Sequence, residues 1–316
     1  MTTDQPTATA LTWTELGLQG GPPRGCVVAI GNFDGVHLGH KALLAEGRTL
    51  SAVLGRPLAL LTFEPHPRTL FQPDRPVFRL TPPEMKRELA RAHGCRHVFE
   101  LAFDRSVASL SAAGFIDDLL LKGLDAAAIV VGSDFAFGKA RSGDVPMLKS
   151  ALAQAGRGVV ALDPVHDGSD RVISSSRIRQ ALNDGDIGLA NRLLGHSWTV
   201  RSEVVHGDKR GRDLGFPTAN MVMAADNQLR HGIYAVEVKV AETWHRAVAS
   251  FGRRPTFDDG APRLESFLFD FAGDLYGQVL DVRFVGWVRG EEKFDSVEAL
   301  VEQMHRDCAE AKRQLG

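Results

Sequence analysis

Two histidines, His37 and His40, stand three positions apart within the run Gly31-Asn32-Phe33-Asp34-Gly35-Val36-His37-Leu38-Gly39-His40. On a first helical turn, residues three apart project to one side, so both imidazoles would meet the same ligand. Glycines at 31, 35 and 39 let backbone N–H groups approach that ligand with no Cβ in the way, and a helix N-terminus attracts anions. Such a set can stabilise phosphate oxygens whose charge grows in a transition state. Two solvated histidines on an ordinary turn would satisfy the same short pattern, so its context decides.

Three further stretches carry candidate chemistry. Ile173-Ser174-Ser175-Ser176-Arg177-Ile178-Arg179 joins three hydroxyls to two guanidinium groups at the start of a helical pattern. Ser175, Ser176 and Arg179 could form a second phosphate-binding element, and the same residues could equally cap a solvated helix. Gly207-Asp208-Lys209-Arg210-Gly211-Arg212-Asp213-Leu214-Gly215-Phe216-Pro217-Thr218-Ala219-Asn220 is a basic, glycine-rich loop. Its glycines admit phosphates, Lys209 and Arg212 supply local positive charge, and Thr218 and Asn220 offer neutral oxygens suited to a Mg²⁺ ion that already carries ATP phosphates. Glu265 opens the apolar run Glu265-Ser266-Phe267-Leu268-Phe269; beside a phosphate site it could take a proton from a substrate hydroxyl, and on a solvated edge it would do nothing of the kind.

These groups need elements to position them. Apolar runs at residues 26–30, 57–63, 97–99 and 128–131 alternate with helical patterns at 41–54, 83–93 and 111–122, which predicts an α/β fold with a parallel sheet covered on both faces. Ligands in such sheets sit beyond the C-terminal strand ends. There the sequence places the histidine run, Glu64-Pro65-His66-Pro67, and Gly132-Ser133-Asp134-Phe135. His66 between two prolines also fits a rigid turn, and Asp134 also fits a loop cap. After the turn residues 183–186 and a short helix at 187–194, β-branched and aromatic runs at 198–205, 232–240, 245–251, 265–271 and 279–287 predict a small antiparallel β-barrel or sandwich. A helix at 297–315 would close it.

Composition removes several classes. In 316 residues, 37 Lys and Arg balance 39 Asp and Glu, so no global field draws nucleic acid or an anionic membrane. The basic residues of the 207–220 loop lack the interleaved aromatic platforms of a nucleic-acid binder. Cys26, Cys95 and Cys308 are too scattered for a disulfide framework or a metal pair, which fits a reducing cytoplasm. Residues 1–21 lack the charge and apolar core of a signal peptide, and no run reaches membrane-spanning length. The histidine run lacks Gly-x-Gly-x-x-Gly spacing, and Gly138-Lys139-Ala140 lacks the spacer and hydroxyl of a P-loop.

Taken together, the histidine run and the serine-arginine segment resemble the two signatures of the nucleotidyltransferase superfamily, which grip ATP from opposite sides. With residues 62–67 and 131–144 added, the pattern resembles the FMN adenylyltransferase module of prokaryotic bifunctional flavin enzymes; Ala136 stands where that family often has arginine. The 207–220 loop and the Glu265 strand resemble riboflavin kinase, as does Arg254-Pro255-Thr256-Phe257, although Ala249-Ser250-Phe251-Gly252 replaces the usual Asn-x-Gly. The chain is thus identified as similar to the prokaryotic bifunctional riboflavin kinase/FAD synthetase family across nearly its whole length.

That resemblance implies a Rossmann-like nucleotidyltransferase domain at 1–186 and a riboflavin kinase barrel with a terminal helix at 187–316. It implies catalytic roles for Glu265, His37, His40, Ser175, Ser176 and Arg179. Ligand contacts are implied for Gly31, Asn32, Phe33, Asp34, Gly39, His66, Gly132, Asp134 and Phe135, and for Gly207, Lys209, Gly211, Arg212, Phe216 and Pro217 in the second domain. Thr218 and Asn220 are the implied Mg²⁺ ligands, with ATP, riboflavin, FMN and FAD as substrates or products. Oligomerisation is compatible with the sequence, and neither nucleic acid nor membrane is an expected partner. Two rivals remain: another small-molecule adenylyltransferase, which the barrel disfavours, and a noncatalytic flavin-binding protein, for which Glu265 would be superfluous.

Overall fold

The computed structural model describes residues 13–15, 23–207, 214–253 and 261–316. The chain forms two compact units, one made of the residues up to Val77 together with Pro82–Ile173, the other of Phe78–Thr81 together with Ser174–Gly316.

In the first unit, β1 (Trp13–Glu15), β2 (Val27–Ile30), β3 (Leu58–Glu64), β4 (His97–Ala102), β5 (Ala128–Gly132) and β6 (Gly158–Leu162) form one sheet in the order β1-β4-β3-β2-β5-β6. β2 to β6 run parallel, and β1 adds an antiparallel edge on β4. The middle strands are nearly continuous apolar runs because both faces are covered. Alternation along β2 sends Val28 and Ile30 into one core with Leu61, Leu119 and Leu148, and Val27 and Ala29 into another with Leu60, Leu44 and Ala90. The covering helices are α1 (Leu38–Leu54), α2 (Pro67–Phe71), α3 (Pro83–Ala92), α4 (Arg105–Ala108), α5 (Ala112–Gly114) and α6 (Val145–Gln154), with a 3₁₀ turn at Lys139–Arg141. The stretch expected to be a helix at 111–122 becomes a π-helix over Phe115–Gly123, which buries Phe115, Ile116, Leu119 and Leu120 together.

The second unit begins with α7 (Ser175–Asp184) and α8 (Ile187–Leu194), which pack on each other. The turn at 183–186 therefore lies inside this unit, held by Gly185 at φ 78° and by the Arg230 N–H donating to the Leu182 carbonyl. Then come β7 (Thr199–Val205), β8 (Ala219–Val222), β9 (Gly232–Val240), β10 (Thr243–Gly252), β11 (Arg263–Leu268) and β12 (Val279–Gly290), followed by α9 (Val297–Leu315). The strands close into an antiparallel barrel in the order β10-β11-β8-β7-β12-β9, which removes exposed sheet edges. Trp198, Tyr234 and Phe284 fill its interior, with rings in tilted and edge contacts at 4.9–5.2 Å.

Candidate active sites in the two units

Beyond β2 the chain makes a tight turn in which Phe33 and Val36 take φ values of 49° and 41°, with Gly35 at 91°. The turn is held by burial: Phe33, Val36 and Asp34 are almost wholly enclosed. His37 caps α1, its Nδ1 accepting from the His40 N–H at 3.4 Å. A neutral imidazole that accepts at Nδ1 carries its proton on Nε2, so His37 presents a donor. The His40 ring stacks between its neighbours, 3.7 Å from the His37 centroid and 4.6 Å from Phe33. A Cβ at Gly39 would stand 3.1 Å from the His37 ring, so a side chain here would press on that ring. Burial first, then competition with the stacked His37 for a proton and the nearby Lys86 ammonium, hold the His40 pKa well below the ordinary 6.5. Among the described residues its buried Nδ1 has no hydrogen-bond partner.

Asn32 and Gly31 form one wall of a cavity of about 390 Å³ whose other walls are aromatic. Phe63 and Phe103 meet edge to face at 5.8 Å, and Phe135 stacks on Phe137 at 5.4 Å, with Phe115 tilted against Phe137 at 5.1 Å. Asp134 joins the lining, its carboxylate lying where a Cβ on Gly132 would be only 2.8 Å away. Arg141 is the cation of this lining, held at φ 58°. The sequence did not single out Phe63, Phe103, Phe115 or Phe137, because apolar residues in strands, helices and their flanks read as core, nor Arg141, a cation in a loop. His66 caps α2, with Nδ1 accepting from the Arg68 N–H at 3.2 Å, and its neighbour Pro67 faces the cavity.

Ser174 caps α7 by accepting from the Arg177 N–H at 3.3 Å, which puts Ser175 and Ser176 in the first helical turn. Arg179, one turn in, donates from Nε to the Phe78 carbonyl at 2.6 Å. These residues belong to the second unit, whereas His37 and His40 belong to the first. Ile173, the last residue of the first unit, brings its carbonyl within 3.7 Å of a Cβ placed on Gly39.

The barrel site is built from strand register. Glu265 on β11 lies directly opposite Asn220 on β8 and Ser250 on β10, so the three share one row across the sheet. The Asn220 amide donates to the Thr218 carbonyl at 3.2 Å and to Thr218 Oγ1 at 3.1 Å. Among the described residues its buried Oδ1 has no hydrogen-bond partner. A Cβ at Gly207 would stand 2.6 Å from that amide, so glycine is what lets the two segments meet. A cavity of about 650 Å³ is lined by Phe216, Thr218, Ser250 and Glu265 on the barrel side and by Leu300, Met304, Asp307 and Cys308 of α9 on the other. Arg289 grips Asp307 through two hydrogen bonds at 2.7 and 2.8 Å, closing that wall. Burial pushes the Cys308 thiol up to about 11, so it is not a nucleophile near neutral pH. Pro217 follows the enclosed Phe216, whose ring meets Phe267 and His305 edge to face at 5.2 and 5.1 Å. Lys209, Gly211, Arg212 and the segment 254–257 lie outside the described residues.

The orphaned Asn220 oxygen beside the Thr218 hydroxyl fits a hard cation that takes oxygen ligands. Among the described residues no cluster of His, Cys, Asp and Glu could hold a metal alone.

Comparison with known proteins matches residues 21–177 to a family model described as FAD synthetase and residues 194–315 to one described as riboflavin kinase. The chain is 40% identical over 296 residues to a bifunctional riboflavin kinase/FMN adenylyltransferase of Escherichia coli (strain K12), covering 93% of this chain and 94% of that protein. It is 42% identical over 293 residues to the protein so described from Pseudomonas fluorescens (92% and 93% covered) and 36% over 292 residues to that of Bacillus subtilis (91% and 92%). A solved chain from Streptococcus pneumoniae, described as a macrolide-efflux protein, superposes with a TM-score of 0.84 at 34% identity, covering 92% of this chain and 95% of that one. Among the described residues here, no helix is long and apolar enough to cross a membrane.

Proposed function

The chain belongs to the family of bifunctional riboflavin kinase/FMN adenylyltransferases, and from that premise we propose how its residues divide the two reactions. Its C-terminal domain is a riboflavin kinase and its N-terminal domain an FAD synthetase.

In the kinase, riboflavin occupies the cavity beneath α9 with its terminal ribityl hydroxyl at Glu265. The carboxylate takes the hydroxyl proton as the oxygen attacks the γ-phosphorus of ATP; the bond to the bridging oxygen breaks, leaving FMN and ADP. Thr218 and Asn220 would hold Mg²⁺, which when bound neutralises phosphate charge and aligns the transferred group. Phe216 and Pro217 brace the turn that leads into this pair, and Gly207, Lys209, Gly211 and Arg212 are assigned to the ATP phosphates. The observation that carries this assignment is the alignment of Glu265 with Asn220, whose buried Oδ1 has no partner among the described residues.

In the synthetase, the FMN phosphate attacks the α-phosphorus of a second ATP and pyrophosphate leaves. A phosphate dianion needs no general base, which suits histidines whose part is to donate hydrogen bonds: His37 from Nε2, and His40 as a neutral ring. From the family pattern, Ser175, Ser176 and Arg179 restrain the pyrophosphate, while Gly31, Asn32, Phe33, Asp34, Gly39 and His66 form the ATP side. Gly132, Asp134 and Phe135 belong to the flavin side, and the aromatic cavity suits an isoalloxazine ring, because stacked and edge-on phenyl rings favour a flat heterocycle. The reactions run in the cytoplasm in this reading.

The test is a time course. Purified protein incubated with riboflavin, ATP and Mg²⁺ forms FMN first and FAD later. No FAD even from added FMN would reduce the chain to a kinase with an inactive partner domain.

A further inference from the structure

The first unit encloses an ammonium that none of the motifs accounts for. Lys86, on α3, is 1% exposed. Its Nζ pairs with Glu64 at 2.6 Å and donates to Thr62 Oγ1 at 3.1 Å. An ammonium only donates, so the Thr62 oxygen must accept from it, and the single hydroxyl proton is directed elsewhere. It goes to the Asn32 carbonyl, 3.0 Å away. Glu64 ends β3, Thr62 lies two residues before it, and Asn32 belongs to the turn beyond β2. One enclosed charge therefore ties together the two strand ends, with the residues that follow them, that supply Gly31, Asn32, Phe63 and Pro67 to the same cavity.

Stability alone is a poor reason for this arrangement. A buried ion pair is often no more stabilising than well-packed apolar side chains of the same volume, because desolvation offsets the attraction. What the pair supplies and apolar groups cannot is direction: it fixes which way the Thr62 proton points and so fixes a backbone carbonyl of the turn. The same charge acts on His40, adding to burial in keeping that ring neutral.

We propose that Lys86 is a positioning residue for adenylyl transfer, holding the Asn32 turn through Thr62 and the loop beyond β3 through Glu64, so that His37 and His40 meet the ATP phosphates in register. This rests on the assignment of adenylyl transfer to the His37/His40 turn. Lys86 acts through its neighbours and touches no reacting atom.

The experiment uses the full chain and measures FAD formation from FMN and riboflavin phosphorylation in the same preparations. Thr62→Val keeps the shape of the side chain in a strand and removes the hydroxyl; Thr62→Ser keeps the hydroxyl. Lys86→Met is paired with Lys86→Met/Glu64→Gln, which leaves no unpartnered carboxylate if the single variant folds poorly. Thr62→Val and the folded Lys86 variant should lower kcat for FAD formation about 10- to 100-fold, the scale on which a misplacement of ~1 Å acts. KM for FMN should change less than about threefold, because the loss falls on the transition state. Thr62→Ser should stay near wild type, kinase turnover should be unaffected, and combining Thr62→Val with the Lys86 change should cost no more than the worse single variant, as for two links of one chain. Unchanged kcat in Thr62→Val, equal loss of both activities, or a loss that follows the fraction of unfolded protein would overturn the proposal. Wild-type FAD formation and its loss in His37→Ala test the underlying assignment, so the two can fail separately.

Discussion

In the proposed assignment, the two units handle phosphate with opposite equipment. In the first, the groups are two stacked imidazoles at the start of a helix, with the His40 pKa held down chiefly by burial. In the second, they are oxygens set by strand register: a carboxylate opposite an amide whose oxygen has no partner among the described residues. The difference follows from the nucleophiles. A phosphate dianion brings its own negative charge and needs only stabilisation of the phosphates it joins, whereas a neutral hydroxyl must lose a proton while a metal offsets the charge of ATP. Placement differs accordingly: a closed barrel fixes residues on strands to the pitch of the sheet, while the histidine turn depends on packing behind it and on the Lys86 network.

If the division is right, each site can be removed without the other. The largest effect should come from Glu265→Gln, which keeps the shape and loses the base: riboflavin phosphorylation falls by about 10²- to 10⁴-fold, the usual worth of a positioned base. FAD formation from supplied FMN continues. Unchanged kinase turnover would remove Glu265 from the mechanism. Next comes His37→Ala, expected to slow FAD formation by about 10²- to 10³-fold, as when one preorganised donor is deleted. Riboflavin phosphorylation should persist, and loss of both activities in a folded variant would contradict two independent sites.

A smaller change sharpens the contrast at the barrel. A Cβ at Gly207 would collide with the Asn220 amide, so Gly207→Ala must rotate that amide or push the loop away. We expect roughly tenfold slower FMN formation, consistent with a sub-ångström shift of an aligned group, together with a higher Mg²⁺ requirement in a titration. An unaltered Mg²⁺ dependence would argue that Asn220 Oδ1 does not face the metal.

The sequence made the histidine turn legible because its signals are local: a strand-like apolar run, closely spaced glycines and a helix pattern, all within one short stretch. The α/β layout was legible for the same reason. β8 was hidden because Ala219–Val222 follows directly on Pro217-Thr218 and reads as loop, so the register of Glu265 with Asn220 could not be anticipated. β1 and β6 were missed as well, one in a polar lead-in and the other short. The π-helix follows the same apolar pattern as an α-helix over so few turns. Lys86 carries no sequence signal, since a lysine on an amphipathic helix ordinarily points to water, and its partners Thr62 and Glu64 come from a different strand. Pairings across the fold are set by tertiary packing, which one sequence does not display.

The smallest expected effect concerns pH and the buried histidine. His40 is held below its ordinary pKa chiefly by burial, and His93 and His97 are lowered for the same first reason, with Lys41 and Arg48 adding to His93 and Arg96 to His97. In the unfolded chain an imidazole takes up its proton near pH 6.5; in the folded unit these resist until the solution is more acidic. The unfolded state therefore binds more protons in that window, so the stability is fully present above about pH 6.5 and is lost as pH falls through the lower folded values. His40→Asn removes the contributor whose pKa is pushed down furthest while keeping a polar side chain. Hydrogen-exchange protection of α1 amides, compared at about pH 7.5 and 5.5, should drop in the wild type and drop less in this variant. An equally steep drop in both would show that His40 is not the group whose burial sets the acid limit of this unit.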